Sequence, residues 1–305
     1  LLLFSAFAMT VSAPVQAKKD FTVSTSSKPY KNKYVKNPVY NKHTKHYLTL
    51  RSYLDEMSKK GGGTLTIKKG TYNISNALLV PSNVKIVLQD GVVMNKIGNS
   101  HTKKLKAGHV MFECVRSSRI NKKGVVGKYN GERNIQIIGE GTVIMNLSGC
   151  NKSEAIRVPH CKNVLIDNIT FTNLRDGHFI EVTASKDVTV QNCTFKNNLS
   201  GERCAINLDT PDKVTNGFNG KYSKFDKTPV LNVTIQNCGF YNLHRGIDTH
   251  RFSPNKYHTN VQILGCTFKD SVQSPIMMLN WKNAVIKGNT IDTVKGWSTN
   301  NIQKE

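Results

Sequence analysis

The sequence predicts an all-β fold, a single-stranded right-handed parallel β-helix with three strands per coil and a capping helix at its N-terminal end. Three observations carry this. A nine-residue phrase recurs along the chain, its apolar positions alternate with period two on either side of an Asn or Gly, and a further short strand lies between successive copies. The phrase reads Asn163-Val-Leu-Ile-Asp-Asn-Ile-Thr-Phe171, then Asp187-Val-Thr-Val-Gln-Asn-Cys-Thr-Phe195. It returns from Asn232 to Phe240 and from Asn260 to Phe268, and in degenerate form from Asn283 to Ile291, with weaker starts at Asn83 and Asn134. Successive starts from Asn163 are 24, 45, 28 and 23 residues apart. Such a period is the signature of a solenoid, and the 45 fits one coil enlarged by an inserted loop.

Each phrase supplies two strands, with Val188 and Val190 inward, a corner at Asn192, then Cys193 and Phe195 inward. Leucine-rich repeats share the period but need Leu at fixed offsets, and those are missing. The third strand has copies at Ala155–Val158, Phe179–Val182, Ala205–Leu208, Gly246–Thr249 and Pro275–Met278. Cys193, Cys238 and Cys266 occupy one phrase position and are expected to stack as buried free thiols, since an odd count of seven cannot pair completely.

The 305 residues, 38% hydrophobic, permit a full core and are too apolar for a disordered chain. Residues 1–17 read as the remnant of a signal peptide, with Val15-Gln16-Ala17 before Lys18-Lys19 resembling a cleavage site, and the run is too short to span a bilayer. Residues 18–46 read as a basic flexible linker with few aliphatic residues, its interleaved Lys and Tyr suited to a wall polymer. The β-helix domain is expected over 47–305. Within it, Tyr47, Leu48, Leu50, Tyr53, Leu54 and Met57 form a helical stripe over 47–60 that would cover the open first coil. Lys103–Lys128 reads as an insertion between coils.

A formal charge of +23 favours polyanionic partners. Export argues against nucleic acid, for which no recognition motif is present. Candidate chemistry lies on the third strand, where Arg157, Glu181, Asn207, Asp248 and Met277 form one outward column and Pro159, Thr183, Asp209, His250 and Leu279 another. The column Ala155, Phe179, Ala205, Gly246 and Pro275 is also expected outward, and its mostly small residues would leave room for a ligand. At ~4.8 Å per coil and ~3.3 Å per residue, Asp209 and Asp248 should lie ~8 Å apart, and Glu181 and Asp248 ~9.6 Å. Both approach the ~6.5–9.5 Å of inverting glycosidases. Asp209 and Asp248 are therefore the candidate acid/base pair, with Glu181 beside them. His250 and His178 would tune or donate protons, Asp209 raising the pKa of His250 from ~4.8 Å away. Arg245 and Arg251 would hold a substrate carboxylate, with Asn207, Arg203 and His244 lining the trough. The inserted loop Pro211–Pro229 offers Tyr222 for stacking on sugar, and Trp281 is a further stacking candidate.

The run Gly61–Tyr72, followed by Val80–Ile86, resembles the opening segment of pectate lyase-like β-helix proteins, and with the repeats the resemblance covers residues 47–292. That group contains polysaccharide lyases, family 28 glycosidases, tailspikes and non-catalytic surface proteins, so it implies the fold more firmly than the activity. Family 28 enzymes carry Asn-Thr-Asp, Asp-Asp, Gly-His-Gly and Arg-Ile-Lys motifs on this face. Asn207-Leu208-Asp209 and Asp176-Gly177-His178 do not reproduce them. His178–Glu181, Ala205–Asp209 and Arg245–His250 resemble a trio found in uncharacterised bacterial β-helix proteins. The resulting expectation is a secreted, extracellular protein associated with the cell wall that degrades an anionic polysaccharide by hydrolysis. The alternatives are β-elimination and surface binding without catalysis. No cofactor is expected; Glu181, Asp209 and Asp248 would be the ligands if Ca²⁺ were bound, and no transmembrane anchor is expected.

Overall fold

The structure is a computed structural model, and it describes residues 18–36, 38–201 and 203–294. The expected leader over 1–17 and the C-terminal stretch from Gly296 lie outside the described residues. Three parallel sheets wrap one lumen. The first has ten strands, running from Phe21–Val23 through Gly63–Ile67, Lys162–Asp167 and Lys186–Gln191 to Trp281–Lys282, with Val285–Lys287 also pairing His258–Leu264. The second has eight, from Gly70–Ile74 to Thr290–Val294, and the third has seven, from Leu78–Leu79 to Ile276–Met277. Each coil takes one strand from each sheet, as the repeat requires.

Pairing follows the phrase. Val188 pairs in register with Val164 and Val233, and Phe195 with Phe171 and Phe240. Like residues therefore stack. Phe171, Phe195, Phe240 and Phe268 form a continuous ladder with centroid spacings of 4.9, 4.9 and 4.6 Å and nearly parallel rings. Asn168, Asn192 and Asn237 make the corners in the left-handed region, at φ 53°, 54° and 52°. Asn tolerates that conformation because its side chain can hydrogen-bond locally. The phrase starts share it, and their amides bond from coil to coil: Asn134 Nδ2 donates to Asn83 Oδ1 at 2.8 Å and Asn163 Nδ2 to Asn134 Oδ1 at 2.9 Å. All seven cysteines are buried free thiols. Cys193 and Cys238 donate to the carbonyls of Gln191 and Gln236 at 3.1 and 3.3 Å, so the thiol column satisfies its own polar atoms.

The helix spans Lys45–Lys59 and buries Tyr47, Leu48, Leu50, Leu54 and Met57 against the first coil. Residues 18–36 and 38–46 correct the expectation of a flexible linker. Phe21–Val23 pairs with Leu65–Ile67, and the rings of Phe21, Tyr30 and Tyr53 meet at 5.0–5.6 Å. Tyr34 Oη donates to Asp55 of the helix at 2.5 Å. Aromatic rings supply the apolar surface that a count of aliphatic residues misses. The stretch Lys103–Lys128 is likewise more than an insertion, since it contains the third-sheet strand Val110–Glu113. Among the described residues, no helix is long and apolar enough to cross a membrane.

Replacing Phe195 with Ala opens a gap between two stacked rings. It is expected to lower unfolding stability by about 3–5 kcal/mol, read from the shift of a urea transition, whereas Lys196→Ala on the outward side should change it by under about 0.5 kcal/mol.

Candidate functional site

The first two sheets alternate buried and partly exposed residues, as in the pattern of Lys186–Gln191. The third does not. Val110–Glu113, Gly177–Thr183 and Cys204–Asp209 are buried along their whole length, so their outer face is also covered. Its register agrees with the column expected from sequence: Arg157 pairs with Glu181, Glu181 with Asn207, Asn207 with Asp248, and Asp248 with Met277. The column of small residues is a correction. The Phe179 ring lies 6.0 Å from both Phe171 and Phe195, Ala155 and Ala205 belong to the core, and a Cβ at Gly246 would fall 2.6 Å from the Phe268 ring. Two successive residues of these strands face the lumen after the corner, so this column leaves no gap for a ligand.

Two insertions cover the outer face. Ser223 bridges to Val126, Val126 N donates to Tyr222 O at 2.9 Å, and Lys224 N donates to Val126 O at 2.7 Å. Leu79, Val115, Val126, Phe218 and Tyr222 form a second, smaller apolar cluster beneath this cover. His160 ties it down, one ring nitrogen 2.7 Å from Lys128 O and the other 2.8 Å from Ser223 Oγ. Tyr222 is consequently buried, its hydroxyl donating to Glu113 Oε1 at 2.7 Å. Trp281 is buried too, its indole donating to Thr249 Oγ1 at 2.6 Å. Neither ring is free to stack on a sugar, which corrects both assignments.

Arg157 is the centre of the covered charges. It makes a bidentate pair with Glu154, at 2.5 Å on each side, and lies 3.5 Å from Glu113 and 3.9 Å from Glu181. Its guanidinium carbon sits 5.4 Å from the centroid of the Phe218 ring. Burial, and next the charge of Glu154, push Glu181 well above the usual carboxylate range. Burial acts the same way on Glu154, but Arg157 overrides it and holds that group low. The two carboxyls around one guanidinium are thus pushed in opposite directions, Glu181 toward the protonated form and Glu154 toward the ionised one. Sequence reasoning assigned no role to Glu113, Glu154 or Arg157. The spacing of Glu154 and Arg157, three apart on an outward strand end, was the available signal.

Asp209 and Asp248 occupy the next coils, and 3% and 2% of their surfaces are exposed. Asp209 accepts from Arg251 N at 2.7 Å, yet burial raises its pKa to about 7. Burial also raises Asp248, against the opposing charge of Arg245, whose Nη1 donates to Oδ2 at 3.0 Å. The other oxygen of Asp248, Oδ1, is buried and has no hydrogen-bond partner among the described residues. Arg245 also reaches Gln273 Oε1.

His250 corrects a further expectation. Burial, followed by the Arg203 charge, lowers its pKa to about 4, and Arg203 Nη1 donates to its Nε2 at 2.9 Å. Asp209 faces the backbone of the turn instead of the ring. Arg203 in turn donates to Asp176 Oδ1 at 3.0 Å. His178, 6.2 Å from His250 between ring centroids, is lowered by burial and has Nδ1 3.2 Å from Cys204 O. Asn207 Oδ1 accepts from His250 N at 3.1 Å. His244 is buried, Arg203 and Arg245 are half-buried, and Arg251 is exposed at the rim. Among the described residues, no group of three or more His, Cys, Asp and Glu side chains is placed to hold a metal ion, so Glu181, Asp209 and Asp248 do not converge on a Ca²⁺ position.

A raised folded-state pKa makes Asp209 most stabilising below the unfolded value near 4, a contribution lost as pH rises through about 7. Asp209→Asn is therefore expected to be more stable than the parent at pH 8, by about 2–4 kcal/mol, and to lose that advantage below pH 4. Denaturant titrations at the two pH values measure both.

Comparison with known proteins follows the architecture. The chain is 26% identical over 265 residues to plasmin and fibronectin-binding protein A of Streptococcus pneumoniae, an alignment covering 78% of this chain and 36% of that protein. It thus spans about a third of the length of that curated relative. The crystal structure of PfbA, a surface adhesin of the same organism, superposes with a TM-score of 0.68 at 20% identity, over 83% of this chain and 60% of that one. A tailspike mutant of E. coli bacteriophage HK620, in complex with a hexasaccharide, gives 0.53 at 15% identity, over 80% of this chain and 47% of the other. These superpositions establish similarity of fold. Residues 107–291, more than half of the sequence, match the right handed beta helix region family, and the chain belongs to that family.

Proposed function

We propose that this chain is a surface-associated β-helix protein that binds an anionic polysaccharide without degrading it. The observation that carries this reading is the closure of the charged face. Glu113, Glu154 and Glu181 surround Arg157 beneath Phe218 and Tyr222, and Asp209 and Asp248 are buried against Arg251 N and Arg245. A polymer chain lying along these coils would have to displace the cover and desolvate charges already matched within the protein. The excess of cations, +23 overall, is instead available on the outside. The adhesin description of the streptococcal relative and the hexasaccharide complex of the tailspike are compatible with a binding role.

Hydrolysis is the second reading, favoured by one specific feature. Asp209, its pKa raised by burial to about 7, is placed to act as a general acid, and Asp248 keeps one oxygen without a partner among the described residues. Burial lowers the pKa of both His178 and His250, which disfavours either as the proton donor. β-Elimination would need an accessible base, and the half-buried Arg203 and Arg245 are already hydrogen-bonded to carboxylates.

The test is incubation with a panel of acidic polysaccharides, following reducing ends, ultraviolet absorbance of unsaturated products, and binding at low and high salt. Salt-sensitive binding with neither product is the expected outcome. Reducing ends that disappear in Asp209→Asn would replace binding with hydrolysis, and new absorbance would replace it with elimination.

A further inference from the structure

We propose that the two joined insertions form the surface on which a linear carboxylated or sulfated polysaccharide lies; this rests on the binding reading and gives it a location. The insertions, residues 114–132 and 211–229, are remote in sequence but adjacent in space. Gly124 N donates to Lys221 O at 3.1 Å, Val126 N to Tyr222 O at 2.9 Å, and Lys128 N to Asp226 Oδ2 at 2.6 Å. These bonds set Lys122, Lys123 and Lys128 beside Lys221 and Lys224, all of them exposed.

The acids of the same segments are already engaged. Glu132 is buried between Arg116 at 2.7 Å and Arg119 at 3.4 Å. Asp212 is buried and accepts from Ser253 Oγ at 2.7 Å and Val214 N at 2.9 Å, with Lys227 Nζ 3.7 Å away. Asp226 accepts from the backbone of Lys128 and Thr228. Lys122, Lys123, Lys221 and Lys224 make no ion pair among the described residues. A local excess of cations on a base fixed by backbone bonds produces a positive field that screening weakens but does not erase at short range.

The chemistry of the partner follows from which side chains point out. Phe218 and Tyr222 are turned under into the small apolar cluster, and Phe225 packs against it with Lys213 over its ring at 5.3 Å. Tyr129 is half-buried, its hydroxyl donating to Pro229 O at 3.0 Å and Lys186 Nζ lying 5.9 Å from its ring centroid, so the rings of these segments are already engaged and the exposed groups are chiefly ammonium. Stacked bases are poorly served by such a surface, because single-strand binding draws much of its energy from base–aromatic stacking. Lysines on flexible stems suit charges repeated along a polymer, whereas a single fixed phosphate or carboxylate would favour the planar fork of Arg.

The test compares two variants with equal charge loss. One carries Lys122→Gln, Lys123→Gln, Lys221→Gln and Lys224→Gln. The other carries Lys42→Gln, Lys59→Gln, Lys68→Gln and Lys196→Gln, exposed positions on other faces. Affinity for immobilised heparin at physiological ionic strength is expected to fall about tenfold or more in the first and under about threefold in the second. Both variants should retain the parent's melting temperature, which separates lost binding from lost folding. Equal losses in the two would overturn the location while leaving the binding reading intact. A parent protein that binds neither heparin nor polygalacturonate would overturn the binding reading itself. Displacement of heparin by single-stranded DNA as effectively as by free heparin, at matched charge concentration, would overturn the choice of polysaccharide.

Discussion

Parallel pairing between coils governs everything else in this molecule. Each strand bonds to the same strand one coil on, in register, so every residue type meets its counterpart at ~4.8 Å. For apolar and amide residues this is favourable, as the Phe ladder and the Asn134–Asn83 and Asn163–Asn134 bonds illustrate. For charged residues it creates an electrostatic difficulty. The third sheet stacks Arg157, Glu181, Asn207 and Asp248 in one column, with Glu154 and Glu113 close by. The protein resolves it with Arg157 among Glu113, Glu154 and Glu181, with Arg245 on Asp248, and with a Glu181 pKa that burial and Glu154 push upward. Burial then strengthens each of these pairings and makes breaking any one of them costly.

The same rule explains what was legible in the sequence. The nine-residue phrase disclosed the coil, the inward Val and Phe positions and the free-thiol column, because in-register stacking repeats them. It also placed Arg157, Glu181, Asn207 and Asp248 in one column without further information. The reading failed where strict alternation or local composition stood in for tertiary context. Phe179 turns into the lumen because the strand presents two inward residues after its corner. Residues 18–36 and 38–46 pack through Phe21, Tyr30 and Tyr34, which a tally of aliphatic residues ignores.

The candidate site was legible in membership and less so in character. Asp209 and His250 were expected to act as a charge-assisted pair, but that required an open, hydrated trough. Burial and Arg203 hold His250 neutral, and Asp209 meets the Arg251 amide. What covers the trough could not be read from repeats, since the covering segments are the two that break them. Tyr222, assigned to sugar from composition, helps Phe218 close the charged face, and the lysines of both segments remain outside. The same two segments thus cover Arg157 and its acids and carry the exposed lysines, which is why a binding surface and a covered charge cluster belong to the same account.

Hydrogen–deuterium exchange with and without saturating heparin measures that account most directly. Slowed exchange over residues 116–130 and 213–228, with 203–209 and 244–253 unchanged, is the result it predicts. Protection confined to 203–209 and 244–253, with the two insertions unaffected, would contradict it and return the function to the trough.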